Sequence, residues 1–247
     1  MSPTTNLAGM EASQGPPGSI DLKHWEDGCF LADSYADYGR WLELWVDTAR
    51  AVEGEQGAAA AAKWTERTWP QVKLMTQYML GLRASTNTTG IAKGLIYGSA
   101  EHDTCQFEGH WFSISAWTWR GFVQLQRFLT DTAAVSEPTL AAHLLTESAS
   151  FKADLDAALQ ATVVTDPETD EPFFVPPRAV ANFTAYPSMT SGGDSIQGFG
   201  GGPSYSNFRY YSEMLSAQFM GAGTDVALQR FRESRGGTLS GTASRGR

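Results

Sequence analysis

Gly94-Leu-Ile-Tyr-Gly-Ser-Ala-Glu-His-Asp-Thr-Cys-Gln-Phe-Glu-Gly-His-Trp-Phe-Ser-Ile-Ser-Ala-Trp-Thr-Trp-Arg120 passes from a glycine-punctuated loop into a helix. Its second half decides the fold class. Ile114, Trp117, Gly121, Leu125 and Phe128 recur at three and four residues, which is the period of a helix with one buried stripe, so a helix is expected over about residues 111–129. Gly121 lies on that stripe and lets a neighbouring helix approach closely. The first half concentrates Glu101, Asp103, Glu108, His102 and His110 beside Tyr97, Phe107 and Trp111. Acidic, imidazole and aromatic groups gathered at a helix mouth read as a ligand pocket.

Upstream, Tyr35, Tyr38, Trp41, Leu42, Trp45, Val46 and Ala49 trace one helical face that is expected to end before Gly54. Residues 58–67 have helical propensity, Trp69-Pro70 is expected to interrupt them, and Val72, Met75, Tyr78, Met79 and Leu82 then resume a helical face. Residues 85–98 read as loop, with at most a short strand over 95–97. Downstream, Ser136 and Pro138 signal a helix start, and Leu140, Leu144, Ser148, Phe151, Leu155 and Ala158 carry its stripe to about residue 164. Residues 165–205, with several prolines and Gly198-Phe-Gly-Gly-Gly-Pro203, read as a long irregular segment packed over the domain. Helix is expected again over 206–220, and a short last helix over 225–232. The fold class is therefore all-α, built of stacked antiparallel helical hairpins with long irregular loops. Residues 1–20 read as a flexible lead-in, 21–240 as the domain and 241–247 as a tail.

Composition bounds the partners. A 42% hydrophobic share can furnish a core, and a formal net charge of -9 argues against a surface that tracks nucleic-acid phosphates. No window approaches the roughly 20 apolar residues that span a bilayer, so no membrane anchor is expected. The polar first residues do not read as a signal peptide, and the compartment is left open. Cys29 and Cys105 read as free thiols, and the Asn87 and Asn182 acceptor patterns carry weight only in a secreted chain.

The chemistry-bearing residues allow competing readings. In an extended loop Glu101 and Asp103 share a face with His102 opposite, and two carboxylates on one face raise the pKa of one, which supplies a general acid. The alternative is that they cap the following helix and pair with Arg120 or Lys93. Trp117 reads as core; Trp111, at the loop-to-helix junction, suits core or sugar stacking equally. Metal binding by Glu101, His102, Asp103, Cys105 and His110 lacks a recognisable ligand spacing, and no Gly-x-Ser-x-Gly elbow occurs. No metal or cofactor is expected. Asn207, Arg209 and Tyr210, at the start of a helix, suit a shared pocket, or an ordinary amphipathic helix with Arg209 and Glu213 as an i, i+4 pair.

Gly94-Leu-Ile-Tyr-Gly-Ser-Ala-Glu-His-Asp103, followed by Trp111-Phe-Ser-Ile, Trp117-Thr-Trp-Arg-Gly121 and Asn207-Phe-Arg-Tyr-Tyr211, resembles the six-hairpin (α/α) toroid glycosidases, a glucoamylase-like clan. The resemblance covers roughly residues 35–240. It implies part of an (α/α)6 toroid, a carbohydrate ligand, and hydrolysis of a glycosidic bond by acid and base groups. By position it implies Asp103 as general acid and Glu101 as a ligand of sugar hydroxyls, or the reverse, with His102, Trp111, Arg120, Asn207, Arg209 and Tyr210 lining the site. An inverting pair stands about 6.5–9.5 Å apart, so Glu101 and Asp103 are not themselves that pair. A closed toroid needs six hairpins, whereas about six or seven helices are expected here. The later hairpins that supply the base are then missing, and self-association or a longer parent chain would complete the ring. The second expectation is a non-catalytic helical scaffold or sugar-binding module. A helical-barrel epimerase would need a pair of histidines across the pocket, and His102 and His110 are too close in sequence for that.

Overall fold

A computed structural model describes residues 22–24, 29–31, 34–99, 108–132, 135–165, 172–174, 178–179 and 213–226. Helix dominates these residues and the strands are few and short, so the described fold is all-α. Four helices carry the fold: α1 (Ser34–Gln56), α2 (Ala58–Ala84), α3 (Phe112–Asp131) and α4 (Pro138–Thr162). Small antiparallel pairs decorate them: β1 (Leu22–His24) with β2 (Cys29–Leu31), β3 (Gly98–Ser99) with β4 (Glu108–Gly109), and β5 (Val164–Thr165) with β6 (Pro172–Phe174). Two short helical turns, over 213–217 and 222–226, close the described chain.

Paired contacts give the helix directions. Tyr38 Oη donates to Thr76 Oγ1 at 3.0 Å, and Trp45 Nε1 donates to Thr68 Oγ1 at 2.9 Å. One number rises as the other falls, so α1 and α2 are antiparallel, reversed at Gly57, whose φ of 86° suits glycine. Between α1 and α3 the numbers rise together: Thr118 Oγ1 donates to the Tyr35 carbonyl, and the Trp45 ring meets Phe128 edge-on at 4.9 Å. These helices are parallel neighbours. α4 returns antiparallel to α3 and packs Phe151 on Phe122. Lys73 pairs with Glu137, and Arg83 with Glu147 and Asp154, so α2 and α4 run parallel. The result is two antiparallel hairpins side by side, with like-directed helices adjacent.

Glycine permits the closest of these contacts. A Cβ on Gly39 would stand 1.8 Å from the Trp117 carbonyl oxygen, and one on Gly121 would stand 2.9 Å from the Gly39 Cα. The close approach expected at Gly121 is therefore present, met by a second glycine from α1. Around this seam Tyr38, Leu42, Val72, Met75, Phe122 and Phe151 are almost wholly buried. At about 1.5–3 kcal/mol for each large apolar side chain removed from water, this core is the main stabilising contribution. Burial also raises the Tyr38 pKa far above that of a free phenol, so its hydroxyl stays neutral and donates to Thr76.

Several expectations are corrected. α1 continues past Gly54 to Gln56, and Trp69-Pro70 does not interrupt α2, which runs unbroken with Pro70 inside it. Proline removes one backbone hydrogen bond at a cost of about 3 kcal/mol. Pro70 is exposed, however, so the carbonyl one turn earlier can face water, while burial of Val72, Met75 and Met79 on the opposite face offsets that cost. The strand expected over 95–97 lies at Gly98–Ser99 instead. Both cysteine side chains, the N-terminal lead-in, most of residues 165–212 and the C-terminal tail lie outside the described residues. No described helix is long and apolar enough to cross a membrane.

Candidate functional site

The last turn of α2 begins the site. Ser85 Oγ donates to the Leu82 carbonyl at 2.7 Å and Thr86 Oγ1 to the Arg83 carbonyl at 2.8 Å, which satisfies helix-end acceptors. The chain then folds back through Gly90 and Gly94, both at positive φ, with the Gly94 N–H donating to the Asn87 carbonyl at 2.9 Å. Arg83 fixes this loop from beneath. Its guanidinium donates to the Gly94 carbonyl, pairs with Asp154 and Glu147 on α4, and lies 4.5 Å from the Phe151 ring centre. Lys93 reaches Asp154 as well, at 3.2 Å.

Held there, Leu95 and Ile96 are buried, and the Ile96 N–H donates to Ser115 Oγ on α3 at 3.1 Å. Tyr97 turns outward and is 55% exposed. β3 and β4 follow as a short pair in the register Gly98 with Gly109 and Ser99 with Glu108. Directly after β4, His110 Nδ1 lies 2.9 Å from the Leu95 carbonyl, and its ring meets the Tyr97 ring edge-on at 5.3 Å. An open groove of about 470 Å³ lies over these residues, lined by Leu82, Ser85, Thr86, Asn87, Leu95, Ile96, Tyr97 and His110. The floor is apolar and the rim is polar.

Electrostatics define the state of His110. Its Nδ1 faces a carbonyl oxygen, so Nδ1 carries the hydrogen. Burial lowers its pKa below the ordinary histidine value, with the Leu95 hydrogen bond opposing in part. The ring is therefore neutral near pH 7 and holds a lone pair on Nε2. Arg178 stacks over the Trp111 ring at 5.7 Å. Burial lowers its pKa, and nearby Tyr97 opposes that shift.

Of the site residues expected from sequence, Glu101, His102 and Asp103 fall in the connection between β3 and β4, outside the described residues; Asn207, Arg209 and Tyr210 also lie outside them. Trp111 and Arg120 are described, and neither stands open to a ligand. Trp111 is fully buried at the start of α3, bridged by backbone to Arg178, so its indole serves the core and offers no stacking face. Arg120 is paired with Glu43 of α1 and donates to the Ser216 carbonyl and Gln218 Oε1, each at 3.1 Å. It thereby ties residues 216–218 to α1 and α3, and it does not line the groove. Lys93 is likewise committed to Asp154. Trp117 is core, as expected, between the Arg40 and Arg120 guanidinia at 5.3 and 5.4 Å.

Sequence reasoning gave Ser85, Thr86 and Asn87 no place in a site, because their role depends on the loop closing over them. It also overlooked Asp225, whose carboxyl is pushed up in pKa by burial and has one buried oxygen without a hydrogen-bond partner. No group of three or more His, Cys, Asp or Glu side chains arranged to hold a metal occurs among the described residues. No protein-family model matches the chain, and comparisons with characterised proteins and with solved structures return no match.

Proposed function

We propose that this chain is a carbohydrate-active, glycosidase-like helical domain. Its groove at the base of the β3–β4 pair binds a sugar, and the acidic stretch Glu101-His102-Asp103 between those strands acts on the glycosidic bond. The observation that carries the reading is the groove itself: an exposed aromatic ring, Tyr97, with hydroxyl, amide and imidazole groups over an apolar floor. Sugar rings present an apolar face to an aromatic ring and hydroxyls to polar neighbours, and this lining offers both. The stem that leads to the acidic residues starts at Gly98, directly beside that ring. Within the reading, Asp103 is the general acid and Glu101 holds sugar hydroxyls, and the general base comes from a carboxylate elsewhere in the chain or in a partner.

The test pairs turnover with binding. Asp103→Asn and Glu101→Gln should each cut hydrolysis of a neutral oligosaccharide by about 100-fold or more, the scale of a lost acid or base, while leaving ligand-induced thermal stabilisation largely intact. Full activity in both variants would sink the assignment. A non-catalytic sugar-binding module is the second reading. It is favoured by the structural employment of Trp111 and Arg120, which removes two expected sugar contacts. It predicts binding without turnover in the unmodified chain.

A further inference from the structure

Three polar side chains that line the groove have one feature in common. Ser85 Oγ donates its hydrogen to the Leu82 carbonyl, Thr86 Oγ1 to the Arg83 carbonyl, and His110 Nδ1 to the Leu95 carbonyl. Each is turned toward backbone, so what remains free on each is an acceptor: hydroxyl lone pairs on Ser85 and Thr86, and the Nε2 lone pair of His110. Among the described residues no cationic side chain lines the groove: Arg83 lies beneath the loop against Asp154, Lys93 pairs with Asp154 from the loop itself, and Arg178 lies over the Trp111 ring. The side-chain amide of Asn87 and the Tyr97 hydroxyl are the side-chain donors among the described lining residues.

We propose that this groove selects uncharged, hydroxyl-rich ligands over acidic ones, with His110 Nε2 as the acceptor of a ligand hydroxyl and Tyr97 covering the ligand's apolar face. The proposal rests on the carbohydrate reading above and assigns it residues and a preference. A hydroxyl can donate to each free acceptor. A carboxylate or phosphate would set its lone pairs against them, with no cationic side chain among the described lining residues to neutralise its charge.

The preference also carries a pH signature. Protonation of His110 turns Nε2 from acceptor to donor, so affinity for a neutral sugar falls as the pH drops through the His110 titration. Among the described residues the ionisable groups around the ring are Tyr97, Arg178 bridged to Trp111, Arg83 beneath the loop and Lys93 on it.

The experiment is titration of the full chain with neutral trisaccharides (maltotriose, cellotriose, xylotriose) and with trigalacturonate, followed by thermal shift and by the imidazole nitrogen NMR signals of His110. Neutral sugars should bind at least tenfold tighter than the uronate and move the Nε2 signal. His110→Asn keeps an amide donor for the Leu95 carbonyl but has no acceptor at the Nε2 position; it should lose binding tenfold or more. His110→Gln places an amide oxygen near that position and should recover part of the affinity without the pH dependence. Sugar binding unchanged in both variants, or equal binding of the uronate, overturns this inference and leaves the carbohydrate reading standing. A wild-type spectrum with the proton on Nε2 overturns it without reference to any variant. Binding that depends on His110 in a chain with no hydrolytic turnover supports the inference and removes the hydrolase reading, while no response to any sugar removes both.

Discussion

Gly39 decides how near α1 and α3 can come, because any side chain there meets backbone and not a movable side-chain end. Gly39→Ala would place a methyl 1.8 Å from the Trp117 carbonyl oxygen, so the helices must separate or slide. The expected loss is at least about 3 kcal/mol, the upper part of the range for overpacking. Gly81→Ala is the matched control: an exposed glycine inside α2 at which a new Cβ meets nothing within 4 Å. It should stabilise by about 0.5–1 kcal/mol through helix propensity. Chemical denaturation of the two variants checks both signs, and a neutral Gly39→Ala would mean that the seam is looser than described. At the same scale His110 gives a direction with pH. Its pKa is lower folded than unfolded, so its contribution is fully present above the ordinary histidine value and is lost as pH falls toward the folded value.

At the scale of elements, the loop between α2 and β3 keeps its shape through Arg83 more than through its own sequence. The Arg83 side chain is 7% exposed and the Asp154 side chain 11%, so removing the cation strands a carboxylate in a poorly solvated place. Arg83→Met should therefore cost about 3 kcal/mol, at the low end for breaking a buried pair because Lys93 remains 3.2 Å from Asp154. Amide exchange over residues 85–96 should quicken more than in the core of α1. A loss under about 1 kcal/mol with unchanged exchange would show that the loop does not depend on this clamp. This contact also marks where sequence reading stops. The stripe Ile114, Trp117, Gly121, Leu125 and Phe128 announced α3 because a helix writes its buried face at a fixed period. Pro70 misled because propensity is local, whereas the burial that keeps α2 intact comes from α1 and the core. Arg83 sits among helix formers as an ordinary polar residue; that it reaches 71 residues along the chain to Asp154 has no local signal. The site was legible in part for the same reason. The concentration of unusual groups near His110 was visible, but whether Trp111 opened to solvent or entered the core depended on Arg178 and on tertiary packing.

For the molecule as a whole, the question is whether the two hairpins make a complete folding unit. They share one core, with α1 and α3 in contact along the Gly39 and Gly121 seam and α2 and α4 joined by Arg83 and Lys73. Neither hairpin can bury its large side chains alone, so their unfolding should be coupled. The large apolar side chains exposed among the described residues are Leu44, Leu74, Tyr97, Leu145 and Val226, spread over α1, α2, the groove, α4 and the last turn. No single described helix carries a stripe of them that asks for another chain. The purified chain should therefore melt in one cooperative transition and sediment as a single species. A ligand that binds only the native state raises the midpoint by mass action, so saturating neutral oligosaccharide should shift that transition upward. A broad melt with concentration-dependent sedimentation would instead mean that the hairpin faces need a further hairpin, from a second copy or a longer chain. In that case the expectation of a partial toroid gains support, and the groove variants should be studied in the assembly that completes it.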